Sequence, residues 1–298
     1  MPKNARIGLY DFMDKFKTNE ACREHLLKKR YPNGFVCPRC DYTKHSEIKP
    51  RGLYQCCECR YQVSVTAGTI MHKTHLPLTK WFLAMYLITT DKRGYSAKQL
   101  SNELNISYKT AWFLLHRLRT AMGERDSEYV LSGIVEFDDT YFGSGKGGGK
   151  RGRGTDKTSV VVAVSKTDDG KPQYLKMQVV PNIKGETIGE FATGNIAEKS
   201  EVQTDAYRSF RKPLAEDFDH IFEIYDPQSD WLRWLHTIIG NAKAFVLGTF
   251  HGLDKKYLQL YLDEFCYRFN RRFMRHHIFD RLVVASVHAP HLALAELK

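Results

Sequence analysis

Ile134-Val135-Glu136-Phe137-Asp138-Asp139-Thr140-Tyr141-Phe142, led in by Gly133, is the stretch whose reading decides the fold. It is rich in β-branched and aromatic side chains and reads as a strand. Side chains alternate between faces along a strand, so Glu136 shares a face with Asp138 while Asp139 points away from it. Gly143-Ser144-Gly145-Lys146-Gly147-Gly148-Gly149-Lys150-Arg151-Gly152-Arg153-Gly154 follows, too glycine-rich and basic to pack. That run is expected to be an exposed loop whose Lys150, Arg151 and Arg153 are free to meet phosphates. Further strands fit Ser159 to Ser165 and Gln173 to Val180, then a helix fits Gly185 to Ala197 and a short strand ends at Thr204-Asp205. The sequence therefore predicts an α/β region built around a mixed sheet.

Neighbouring strands would bring Asp138 and Asp205 together despite their separation in the chain. Two carboxylates held close repel, and a hard divalent cation such as Mg²⁺ relieves the repulsion through oxygen ligands. Such ions activate a water or a 3′-hydroxyl and stabilise the leaving oxygen at a phosphodiester. Taken singly, each Asp reads equally well as an ordinary strand-end residue.

Upstream, Cys37 and Cys40 form one Cys-x-x-Cys knuckle and Cys56 and Cys59 another, with fifteen residues between them. That spacing predicts a structural zinc site in a zinc ribbon. Cys57 is a third thiol in the second knuckle; only Cys56 with Cys59 keeps the two-residue gap, so Cys57 is expected to pack as a small hydrophobe. His72 and His75 follow as surface residues.

The period then becomes helical. Leu78, Trp81, Phe82, Met85 and Tyr86 mark one helix, entered through Pro77. A second fits Ser96 to Leu104 with Ser96 as N-cap, and after the turn Asn105-Ile106-Ser107 a third runs from about Tyr108 to Met122. So short a turn suits a helix-turn-helix, with Tyr108, Lys109 and Thr110 at the groove and His116, Arg117 and Arg119 reaching phosphates. The same pattern also fits a plain three-helix module with a solvated basic face.

Composition sets the context. The 298 residues carry 45 Lys and Arg against 34 Asp and Glu, a formal net charge of +11 that favours a polyanionic partner such as nucleic acid. Five of the seven cysteines fall between Cys37 and Cys59, which suits a metal in a reducing compartment better than disulfides; Cys22 and Cys266 read as packing residues. Met1-Pro2-Lys3-Asn4 leads into no apolar segment, and the apolar stretch from Trp81 to Ile88 is too short to span a bilayer. The expectation is a cytoplasmic protein without a membrane partner.

An ordered set of motifs carries a resemblance. Pro38 to Cys40, Tyr54 to Cys59, Gly68-Thr69, Leu76-Pro77-Leu78 with Trp81-Phe82, and Thr110-Ala111-Trp112-Phe113 come first. Val135-Glu136-x-Asp138-x-Thr140-Tyr141-x-Gly143, Thr204-Asp205-x-Tyr207, Gly248-Thr249-Phe250-His251-Gly252 and Tyr261-Leu262-Asp263-Glu264-Phe265-x-x-Arg268-Phe269-Asn270-Arg271-Arg272 follow in that order. Together they resemble the DDE-type transposases of bacterial insertion sequences that carry an N-terminal zinc ribbon, from about Pro32 to Arg272.

The resemblance implies a ribonuclease H-like mixed-sheet catalytic domain that binds Mg²⁺ or Mn²⁺, cuts at the ends of its element and joins them to target DNA. It implies Asp138 and Asp205 as the first two catalytic residues, with Asp139 structural and Glu136 in reserve near the site. At the third position, where the family often carries Glu with a Lys seven residues later, the chain offers His236 and Asn241 ahead of Lys243. His236 and Lys243 are seven apart and share a helix face; Asn241 has thirty-five residues between it and Asp205, a common family spacing, but lies about 200° around a helix from Lys243. Asn241 is taken as the family equivalent, with His236 as its close rival and Asp230 behind both. Lys243 is assigned to a DNA phosphate.

Near the C-terminus, Tyr261, Phe265 and Phe269 recur as a packed helix face, and Arg268, Arg271, Arg272 and Arg275 are candidates for phosphate contacts or for complementing the helix end. The expected organisation is a helical lead over 1–30, the ribbon over 31–72, a helix-turn-helix over 76–124, the catalytic domain over 130–280 and a tail over 281–298. The partner is double-stranded DNA, both element ends and target, and joining two ends implies a homo-oligomer. The competing reading is a non-catalytic DNA-binding protein, or an inactivated transposase, that keeps the ribbon and the helices but not the chemistry.

Overall fold

The computed structural model describes residues 7–143, 157–224, 226, 228–251 and 253–297. The chain divides into two compact units, one built up to Arg125 together with the stretch from Met274 onward, the other Asp126–Phe273. The first begins with helices α1 (Leu9–Lys15) and α2 (Asn19–Arg30), the latter capped by Thr18, whose hydroxyl accepts the Ala21 N–H at 3.1 Å. Three short antiparallel strands follow in the order β1 (His45–Ile48), β2 (Leu53–Cys56) and β3 (Gln62–Ser64). Gly52, at φ 59°, makes the left-handed turn between β1 and β2 that a side chain would strain.

Helices α3 (Leu78–Thr90), α4 (Ala97–Leu104) and α5 (Tyr108–Ser127) come next. The apolar period read for α3 buries Trp81, Phe82, Met85 and Tyr86. Ser96 caps α4 by accepting the Gln99 N–H at 3.1 Å, a contact that stabilises by about 1 kcal/mol. Asn105 closes α4 in the left-handed region at φ 49°, a conformation Asn tolerates better than most side chains, and α5 starts three residues later.

The second unit is a five-stranded sheet of β4 (Ile134–Phe142), β5 (Thr158–Lys166), β6 (Pro172–Val179), β7 (Glu201–Asp205) and β8 (Asp219–Glu223). Its order is β6-β5-β4-β7-β8; β4, β5 and β6 are antiparallel neighbours, whereas β7 runs parallel to both β4 and β8. This is the mixed sheet of a ribonuclease H-like domain. Helices α6 (Gly185–Asn195) and α7 (Arg208–Leu214) cover one face, and α8 (Arg233–Thr249) and α9 (Leu258–Asn270) the other. Both faces being covered explains the unbroken apolar run Val160-Val161-Val162-Ala163-Val164 in β5, which packs alternately into the two cores. Tyr261 is buried and Phe265 and Phe269 pack beside it, as their spacing predicts.

Two elements, α7 and β8, were not expected. Strand β8 is an edge strand whose Ile221 and Phe222 are partly exposed, so it lacks the inward alternation that betrays a half-buried strand. The expected boundary at 280/281 falls inside helix α10 (Ile278–His288), which belongs to the first unit. There Phe279 meets Phe12, Phe16 and Phe82, and Asp280 binds His25 at 2.9 Å and Lys29 at 3.4 Å. An apolar face with so many aromatic partners makes a core helix of a stretch read as the start of a tail. No helix among the described residues is long and apolar enough to cross a membrane.

Candidate functional site

The four thiols of Cys37, Cys40, Cys56 and Cys59 converge, their sulfur atoms all lying within 4.8 Å of one another. Cys37 and Cys59 Sγ are 3.7 Å apart, Cys40 and Cys56 Sγ 3.6 Å. A tetrahedral site with metal–sulfur bonds of about 2.3 Å has edges of about 3.8 Å, so the donor set fits zinc. Cys57 lies outside the quartet and is exposed, correcting the expectation that it packs inside; its neighbours turn inward to the site and leave it facing out.

The acidic site is assembled from three elements of the second unit. Strands β4 and β7 pair in parallel as far as Glu136 opposite Gln203, two residues before Asp138 and Asp205, and Asp205 lies near enough for its charge to act on Asp138. Helix α8 then brings His236 over the same place, its Nε2 3.4 Å from Asp138 Oδ2. The Asp139 N–H donates to Asp138 Oδ1 at 2.7 Å, and the Tyr207 N–H donates to Asp205 Oδ1 at 3.0 Å.

Burial raises the Asp138 carboxyl above its ordinary value; the His236 hydrogen bond works against that rise, and the charges of Asp139 and Asp205 add to it. His236 is raised in turn by its hydrogen bond to Asp138, against burial, with the charges of Asp138, Glu136 and Asp205 reinforcing it. Half-buried Lys243 is lowered by burial and by Lys157, with Asp138 pulling the other way. Two carboxylates and an imidazole are ligand types that a divalent ion takes, but among the described residues only the four thiols gather three or more ligand atoms within 4.8 Å of one another.

The other third-position candidates lie elsewhere. Asn241 is exposed, about 140° around α8 from His236, and Asp230 is exposed and paired with Arg233 at 3.1 Å. Glu136 is fully buried and already engaged, accepting the Leu235 N–H at 2.8 Å and binding Lys166 at 3.1 Å. Beside Lys243 opens a cavity of about 320 Å³ whose lining includes Tyr141, Lys157, His251 and Lys255. Of these, His251 stood in a quoted motif without a role, and the two lysines carry no sequence signal beyond charge.

Of the nucleic-acid candidates, Tyr108, Lys109 and Thr110 are exposed at the start of α5. His116, Arg117 and Arg119 are buried, because the middle of α5 packs on most of its sides; Arg117 donates to the Leu292 carbonyl at 3.2 Å and stacks on Phe113. Arg271 is buried and bound to Asp126 at 2.7 Å, and Arg272 donates to the carbonyls of Pro172, Gln173 and Phe269. Arg117, Arg271 and Arg272 therefore serve packing rather than a DNA surface: their long stems cover apolar neighbours and their heads satisfy buried acceptors. Arg268 likewise pairs with buried Glu264 at 3.1 Å, while Arg275 is exposed. Lys150, Arg151 and Arg153 lie outside the described residues.

A ribonuclease H-like sheet with acids meeting on its central parallel strands, in one chain with a four-thiol ribbon, defines the class of zinc-ribbon DDE recombinases. The chain belongs to the DDE-type insertion-sequence transposases that carry an N-terminal zinc ribbon: residues 130–270 match the ISXO2-like transposase domain and residues 17–62 the transposase zinc-ribbon domain. It is 28% identical over 210 residues to an uncharacterized protein in transposable element ISH50 of Halobacterium salinarum, covering 64% of this chain and 68% of that protein. Among solved structures it is similar, at 14% identity, to the Mos1 strand transfer complex (71% of this chain, 79% of that chain, TM-score 0.29). It is also similar, at 14% identity, to a pre-cleavage Mos1 transpososome (71% and 80%, TM-score 0.25).

Proposed function

We propose that this chain binds the ends of an insertion sequence and catalyses metal-dependent cleavage of DNA and transfer of the cut strand, with Asp138, Asp205 and His236 as the residues that hold the catalytic ion. The observation that carries this reading is the approach of His236 Nε2 to Asp138 Oδ2, 3.4 Å, with Asp205 near enough on the neighbouring strand for its charge to act on both. When bound, Mg²⁺ or Mn²⁺ supplies the charge that activates a water or 3′-hydroxyl and stabilises the leaving oxygen. Asp138 and Asp205 contribute negative charge from a rigid sheet, and His236 adds a neutral donor, so the set is less negative than three carboxylates. An imidazole donor suits Mn²⁺ better than Mg²⁺, so half-maximal activity is expected at lower Mn²⁺.

Lys243 lies about 20° around α8 from His236, two turns further on, and serves as the phosphate contact next to the scissile bond. The net charge of +11, the exposed Tyr108-Lys109-Thr110 and the lysines of the adjoining cavity support double-stranded DNA as partner. The four thiolates hold Zn²⁺ as a structural ion that keeps the ribbon folded. Two copies acting together would serve two ends, and the clustering of five cysteines between Cys37 and Cys59, suited to a metal in a reducing compartment, supports action in the cytoplasm.

The test is cleavage of duplexes carrying the element's terminal repeats, with and without Mg²⁺ or Mn²⁺. Loss of cleavage in both Asp138→Ala and Asp205→Ala, with end binding retained, is expected. Undiminished cleavage in either variant would refute the catalytic assignment and return the chain to a purely DNA-binding role.

A further inference from the structure

Glu136 has the position of a catalytic acid without its surroundings. It stands two residues before Asp138 on the same face of β4, yet its side chain is buried and both carboxylate oxygens are taken. Oε2 accepts the Leu235 N–H at 2.8 Å, and Oε1 lies 3.1 Å from Lys166 Nζ. Lys166 also donates to Gln203 Oε1 at 2.7 Å, and Gln203 is the residue paired with Glu136 across β4 and β7. One polar chain thus ties β5, β4 and β7 together one layer beneath Asp138 and Asp205, and attaches α8 to it.

The start of α8 needs that attachment. Its cap residue is Leu232, buried and held in the left-handed region at φ 56°, with no side-chain oxygen to offer the free N–H groups of the first turn. The acceptor comes instead from Glu136 on the sheet, where a negative group is favoured by the helix N-terminus. A second tether holds the same place: Trp231 Nε1 donates to the Thr204 carbonyl at 2.8 Å, next to Asp205. The residue after Leu235 is His236.

We infer that Glu136 is a positioning residue: it caps the first turn of α8 and so fixes His236 against Asp138, and it does not bind the ion itself. This rests on the proposed metal site, so the experiment separates the two. Mn²⁺ alone is the probe, titrated into the full-length chain and followed by electron paramagnetic resonance, alongside amide hydrogen exchange over 231–239. Glu136→Gln keeps an acceptor for Leu235 and is expected to hold Mn²⁺ within about 3-fold of the native chain. Glu136→Ala is expected to weaken Mn²⁺ about 10- to 100-fold, the range of second-layer ligands, and to speed exchange over 231–239. Should Glu136→Ala fail to fold, Glu136→Asp, too short to reach Leu235 and Lys166 at once, is expected to show the same two changes more weakly. Loss of Mn²⁺ in Glu136→Gln as complete as in Asp138→Asn would make Glu136 a ligand and overturn the inference. Unchanged affinity and exchange in Glu136→Ala, or in Glu136→Asp where that variant stands in, would overturn it as well. If Asp138→Asn binds Mn²⁺ like the native chain, the metal site fails, and exchange over 231–239 alone then decides the positioning role.

Discussion

The thiolate site and the acidic site are built on opposite plans. The first draws four like ligands from two knuckles of one short ribbon; the second draws Asp138, Asp205 and His236 from a central strand, its parallel neighbour and a helix. A ribbon with so small an apolar core depends on its ion to fold, whereas the sheet is held by apolar packing on both faces and would stand without one. On the proposed reading, metal in the first unit is a matter of stability, and in the second a matter of chemistry.

The sharpest way to break that division is Cys40→Ser. Structural zinc contributes on the order of 10 kcal/mol to such folds, so the variant should lose its zinc by elemental analysis and become protease-sensitive within 31–72. Residues 126–273 should keep their protection; their cleavage in parallel would end the distinction. Asp138→Asn should do the reverse, lowering the single-turnover cleavage rate by about 10³-fold or more, roughly 4 kcal/mol in the barrier, with melting temperature and zinc content unchanged.

Acid gives a third probe. His116 is buried in the first unit and its pKa is lowered to about 3, first by burial and then by Arg119. Its folded value lies below the unfolded value of 6.5, so full stability holds above pH 6.5 and is lost as the pH falls toward 3. Between pH 6.5 and pH 4 the loss is roughly 3 kcal/mol, and His116→Leu should flatten that slope in acid titrations of denaturant stability. The smallest effect is expected at the exposed helix start: Lys109→Ala should weaken DNA binding by about 1 kcal/mol and reduce the salt slope by about one, with cleavage of bound DNA unaltered.

Legibility follows the same divide. The knuckles could be read directly, because a local site needs only the spacing of Cys37, Cys40, Cys56 and Cys59, and the strand from Ile134 could be read from its composition. Asp138 was legible as an acid within a strand and Asp205 as one at a strand end, but their nearness depends on β4 and β7 being parallel neighbours, which local periodicity does not state. The proposed preference for His236 over Asn241 rests on which side of α8 faces the sheet; burial of Leu235, Ile238, Ile239 and Ala242 leaves His236 at the edge of that packed side and Asn241 outside it. The arginines misled for a related reason. Arg117, Arg271 and Arg272 look like surface charge in a basic sequence, and only the fold supplies Leu292, Asp126 and the carbonyls of β6 and α9 as their partners.

The position of a catalytic ion on the second unit is the most direct test of the proposed site. Anomalous diffraction from a crystal soaked in Mn²⁺ should show a peak about 2 Å from carboxylate oxygens of Asp138 and Asp205 with His236 completing the set. A peak that includes Asn241 or Glu136 in place of His236, or none between the two aspartates at saturating Mn²⁺, would contradict it.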